Sequence, residues 1–114
     1  MAEIIEIRSY NLKPGQREEF HRLFKDEVYP MLKRWGVDVV TFGPSPQDDI
    51  SYYLIRRYND QGDLEQSQDA FYGSDEWRQG PREPVLACIE NFTSIVLTVD
   101  PATLQGLRQT GENK

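Results

Sequence analysis

Residues 15–35 place apolar side chains at Phe20, Leu23, Phe24, Val28, Met31, Leu32 and Trp35. This is the i, i+3, i+4, i+7 spacing that lines one face of an α-helix over several turns. A stripe of that length has to be buried. In 114 residues there is room for one core only, so the rest of the chain must supply the surface on which the stripe packs. The ends of the segment agree with a helix. Pro14 suits the first turn, Glu18 and Glu19 the positive end, Lys33 and Arg34 the negative end, and Gly36 the residue just past it. Pro30 interrupts the pattern; without an N–H it predicts a kink near Val28.

The surface is a sheet. Residues 3–10 alternate, with Ile5 and Ile7 on one side and Glu6, Arg8 and Tyr10 on the other, and Lys13-Pro14-Gly15 closes the strand. Residues 37–43 and 50–58 read as two more strands, joined by the turn-rich stretch 44–49 and therefore antiparallel. Asp63 with Gln66 suggests a capped helix over 64–72, ended by Gly73, and Ser74 starts a further short helix through Glu76 and Trp77. Gly80, Pro81 and Pro84 break up the stretch after Trp77, and residues 89–99 form the last strand. Asp100-Pro101 caps one short amphipathic turn with Leu104 and Leu107, and residues 110–114 are expected to fray. The order β-α-β-β-α-β specifies an α+β, ferredoxin-like antiparallel sheet with helices on one face. Residues 1–114 are read as one domain, with a core of about 3–99 and a tail from 100.

In this reading the helices cover one sheet face, and Tyr10, Leu54, Tyr58 and alternate residues of 89–99 lie on the other. A half-apolar face left open implies a second copy, giving a homodimeric α/β barrel with a sheet-lined interior. The alternative is that a loop or the C-terminal tail covers it.

Charge and composition remove whole classes. Thirteen Lys plus Arg against 19 Asp plus Glu gives −6, and the basic residues do not cluster, so a nucleic-acid partner is not expected. Six Tyr, five Phe and two Trp argue against disorder. The single Cys88 sits among Val85, Leu86, Ala87 and Ile89, the setting of a buried apolar residue rather than a nucleophile. The start of the chain reads as a strand and not as a targeting segment, and no apolar stretch approaches the roughly 20 residues of a membrane span. The expectation is a cytoplasmic protein without a membrane partner.

Four segments resemble the NIPSNAP family. Residues 5–15, from Ile5-Glu6-Ile7-Arg8-Ser9-Tyr10 to Leu12-Lys13-Pro14-Gly15, match its opening strand and the start of its long helix. Glu27-Val28-Tyr29-Pro30-Met31-Leu32-Lys33-Arg34, with Trp35-Gly36-Val37, matches the helix end, proline included. Arg57-Tyr58-Asn59-Asp60 and Ser74-Asp75-Glu76-Trp77 match two later elements. The resemblance spans about residues 4–99. It implies the dimeric α/β-barrel superfamily, whose members include cofactor-free monooxygenases, haem proteins, isomerases and binding modules. Two departures stand out: Arg56 replaces a Trp common in the family, and two prolines shorten the 44–49 turn.

Candidate chemistry is sparse. His21, the only histidine, forms Glu18-x-x-His21, a spacing used in di-metal bundles. The further carboxylates such a site needs are missing, so a solvated helix-flank histidine and no metal are expected. No phosphate loop, nucleophile elbow or catalytic triad is present, and no cofactor is expected. The better set is Arg8, Tyr10, Arg56 and Tyr58. Residues i and i+2 share a sheet face, and the first and third strands are central neighbours. Facing a barrel interior, these four would line a cavity between sheet and partner able to hold an anionic or aromatic small molecule. The structural alternative pairs Arg8 with Glu6, Glu90 or Asp100 and uses the tyrosines as filling. The function implied is a NIPSNAP-like small-molecule-binding or accessory homodimer. The alternative is a cofactor-independent monooxygenase- or isomerase-like enzyme.

Overall fold

A computed structural model describes residues 3–110. Along the chain these form β1 (Glu3–Leu12), α1 (Arg17–Leu23), a π-helical turn (Phe24–Val28), α2 (Tyr29–Arg34), β2 (Asp38–Pro44) and β3 (Ser51–Tyr58). There follow α3 (Gln61–Tyr72), α4 (Asp75–Gln79), α5 (Arg82–Ala87), β4 (Ile89–Val99) and α6 (Pro101–Arg108). The sheet order is β2-β3-β1-β4, antiparallel throughout, so β1 and β3 are the central pair as expected.

The long amphipathic segment is continuous, and the Pro30 irregularity takes a specific form. The Tyr29 N–H reaches the Phe24 carbonyl five residues back. The wider turn accommodates a ring that has no N–H and would press on the carbonyl four residues before it. Gly36 closes α2 at φ +75°, a left-handed conformation that costs a residue with a Cβ more than it costs glycine. Two local readings are corrected. Helix α3 starts earlier than Leu64, because Asp60 rather than Asp63 is the N-cap and accepts the Asp63 N–H at 2.8 Å. Helix α5 exists despite Pro84, which falls in the first turn where the amide has no helical acceptor.

The assignment of the two faces is also corrected. Tyr10, Leu54 and Tyr58 lie under the helices, in one core with Leu12, Phe20, Phe24, Leu32, Phe42, Tyr52 and Trp77. The opposite face carries Ile5, Val40 and Ile55, and α6 lies against it through Leu104. The C-terminal segment is therefore part of the core, pinned by Arg108 to Asp38 at 2.7 and 2.9 Å and by the Thr41 hydroxyl donating to the Thr110 carbonyl at 2.7 Å. The expectation of fraying from 110 fails at Thr110 and otherwise falls on residues 111–114, outside the described residues. Helix α6 packs on the β2 side of this face. Ile95 and Leu97 of the edge strand β4 stay 60% and 42% exposed.

Candidate functional site

Alternation along β1 directs Glu6, Arg8 and Tyr10 to the helix side, opposite Arg56, Leu54 and Tyr52 of β3. All four sequence-derived candidates thus lie between the sheet and this chain's own helices, where a cavity is formed within one chain. Two of the four separate from the other two. Arg8 and Tyr10 line a cavity of about 430 Å³, whereas Arg56 and Tyr58 are buried beneath it, 1% and 3% exposed.

Glu6 is the hub. Its carboxylate accepts from Arg56 Nη2 at 2.6 Å, Arg56 Nε at 3.2 Å, Arg8 Nη2 at 3.0 Å and Gln68 Nε2 at 3.0 Å. The Tyr72 hydroxyl accepts from both arginines, from Arg56 Nη1 at 2.9 Å and Arg8 Nη1 at 3.1 Å. Gln68 Nε2 also donates to the Tyr58 hydroxyl at 3.3 Å. The pairing of Arg8 with Glu6, one of the structural alternatives, is therefore present, and it coexists with a cavity. Gln68 and Tyr72 sit four residues apart on α3, on the face turned to the sheet. The remaining cavity walls are Arg82, Trp77 and Val85 from α4 and α5, with Leu86, Ile89 and Phe92 toward β4. Leu86 and Phe92, 40% and 47% exposed, mark its open side.

The electrostatics separate the phenols. Burial raises Tyr10, to about 12, and the neighbouring Tyr72 adds to it. Burial also opposes ionisation of Tyr72, but Arg56 and Arg8 outweigh it and hold that phenol below its ordinary value. Glu6 is likewise desolvated, and the same two arginines keep its carboxyl below the usual range. In an alkaline titration followed by tyrosinate absorbance, the earliest-ionising phenol is expected to disappear in Tyr72→Phe. Its persistence would move the lowered phenol elsewhere.

Two further sequence candidates resolve quietly. His21 is half-buried, not merely solvated: its Nδ1 lies 2.6 Å from the Tyr52 hydroxyl and shares a hydrogen bond with it. Cys88 is buried, which pushes its thiol up. Among the described residues no group of three or more His, Cys, Asp and Glu side chains could hold a metal ion, and no helix is long and apolar enough to cross a membrane. The residues that sequence reasoning missed are Gln68, Tyr72, Arg82 and Phe92. The signal available was modest: an i, i+4 polar pair on an otherwise weakly amphipathic helix.

No protein-family model matches the chain, and no curated protein matches its sequence. Solved structures do match. A NIPSNAP-like domain protein from Burkholderia xenovorans superposes with a TM-score of 0.79 at 17% identity, covering 87% of this chain and 86% of that one. A NIPSNAP family protein of unknown function from Agrobacterium tumefaciens gives 0.77 at 18% identity, covering 85% and 87%. A candidate antibiotic biosynthesis monooxygenase from Bacteroides thetaiotaomicron gives 0.63 at 15% identity, covering 82% and 85%. The fold is NIPSNAP-like.

Proposed function

We propose that this chain is a small-molecule-binding homodimer whose ligand occupies the cavity between the sheet and α3–α5. The observation that carries the reading is the cavity itself. At about 430 Å³ it has a size that takes a small organic ligand, with aromatic and aliphatic walls around a few fixed polar groups. The side chains that hold it open are oriented by one another, since Arg8 is tied to Glu6 and Tyr72. The second copy is argued from the exposed Ile95 and Leu97 on an eleven-residue edge strand, a surface that soluble chains cover or blunt.

A second reading has a specific observation behind it. Tyr72 lies between two arginines that hold its phenol below its ordinary value, and the cavity lies beside it. This favours a cofactor-independent monooxygenase- or isomerase-like enzyme; the Bacteroides protein carries the name of an antibiotic biosynthesis monooxygenase. Native mass spectrometry of protein purified from its own cells tests the first reading. The expected species is a dimer, twice the 13.3 kDa chain mass, carrying a small organic molecule that leaves on denaturation. A monomer at micromolar concentration overturns the dimer, and a cavity that holds none of a broad set of added small molecules overturns the binding function. Conversion of a bound molecule by wild-type protein, lost in Tyr72→Phe, would select the enzyme.

A further inference from the structure

The buried cluster beneath the cavity is not neutral. Glu6, Arg8 and Arg56 are 3%, 9% and 1% exposed, and one carboxylate serves two guanidinium groups. The α3 side chains that reach them are Gln68, an uncharged amide, and the phenol Tyr72, and the other groups facing them are the phenols Tyr10 and Tyr58. One positive charge is left over, in a chain whose net charge is −6. Buried charge without a counterion is unfavourable, so a surplus built against a cavity wall calls for an anion.

A second observation locates the demand. Among the described residues, Arg8 Nε is the buried side-chain nitrogen or oxygen left without a hydrogen bond. Arg8 is also the arginine of the pair that lines the cavity. The walls describe the rest of the occupant. The Phe92 ring centroid lies 4.7 Å from the Arg8 guanidinium carbon, and Trp77 stands edge-on to Tyr72 at 5.4 Å. With Val85 and Ile89 they frame a space suited to a flat apolar body. Beyond Tyr72 an adjoining depression sets Arg78 against Asp75, and Arg82 is paired with Glu83 at 2.6 Å, so the approach is balanced in charge and the surplus lies at Arg8.

Resting on the small-molecule reading above, we propose that the cavity selects a planar organic monoanion of the aryl carboxylate type, its charge met by Arg8 at the wall and its ring lodged between Phe92 and Trp77. A dianion would overshoot the single surplus charge, and a neutral ring would leave the charge unmet.

The test is calorimetric titration of the full chain with 2-naphthoate and with 2-naphthamide, which share shape and differ in charge. The acid is expected to bind at least about tenfold more tightly, the scale of one charge-assisted hydrogen bond. In Arg8→Gln, Glu6 and Arg56 remain as a one-to-one pair, and the acid-to-amide preference should fall to about one. Should Arg8→Gln not fold, Arg8→Lys keeps the charge and loses the Nε donor, so the acid-to-amide preference should fall several-fold. Equal affinity of acid and amide for the wild-type protein overturns the charge assignment and leaves the small-molecule reading standing. Failure of both to bind overturns the aryl carboxylate assignment, and the small-molecule reading then rests on the broad set of added molecules above.

Discussion

Glu6→Gln is expected to destabilise the fold by about 3–5 kcal/mol, read from the midpoint of urea denaturation. Such a loss arises when one partner of a buried ion cluster is neutralised and the opposite charges stay. Here two stay. Arg56 and Arg8 would share a neutral amide in a region where Arg56 is 1% exposed and has no route to water. Against a total stability of about 5–15 kcal/mol for a domain, the change is large. Adding Arg56→Met to Glu6→Gln removes one uncompensated cation and should recover about half of the loss; no recovery would mean that the amide, not the charge, is at fault. The pH dependence has a definite sign. Glu6 in the folded chain ionises below its unfolded value of about 4.3, because Arg56 and Arg8 overcome its burial. Its contribution is therefore complete above that pH and is lost as pH falls through the lowered folded value. The gap between wild-type and Glu6→Gln should narrow only below about pH 4, and a gap that widens there would contradict the assignment.

Phe20→Ala is the second large effect, about 3–5 kcal/mol, or a fall in Tm of roughly 12–20 °C for a domain of this length. Phe20 is 1% exposed and is one of the rings that join the long helix to the sheet, beside Phe24 against Phe42. Its centroid lies 4.9 Å from Tyr52, edge-on, and 5.1 Å from Tyr10, with Phe24 at 6.4 Å. Removing it leaves a cavity that three rings cannot all close around. Phe20→Leu, which keeps most of the volume, should cost less than about 1.5 kcal/mol. The consequence reaches the site, because Tyr10 packs between Phe20 and Phe92 and forms part of the cavity wall. Near-equal stability of the Ala and Leu variants would show that the contact with the sheet is not where the helix is held.

Much of the architecture was legible because it depends on local rules. The stripe from Phe20 to Leu32, the Gly36 stop, the short 44–49 connection and the Ser74 cap each act over a few residues and are found where expected, while Trp35 at the end of the stripe stays 40% exposed. The faces were not legible, for one reason. Alternation along β1 sets Ile5 and Ile7 against Glu6, Arg8 and Tyr10, and polarity then directs the isoleucines to the helices. The opposite holds because Glu6 and Arg8 do not act as isolated polar groups: with Arg56 they neutralise and hydrogen-bond one another, and so tolerate burial. That partnership is made across 50 residues of chain and is invisible to a pattern of period two.

The amphipathic stripe at 15–35, taken with the strand patterns, determined that a long helix packs on an antiparallel sheet, and the order of the strands determined which two are central. Tertiary structure alone decided which face of that sheet the stripe covers, that Gln68 and Tyr72 complete a cluster begun on β1 and β3, and that the cavity lies within one chain. Periodicity is a property of neighbours in sequence, whereas charge compensation and enclosed volume arise only between segments that folding brings together.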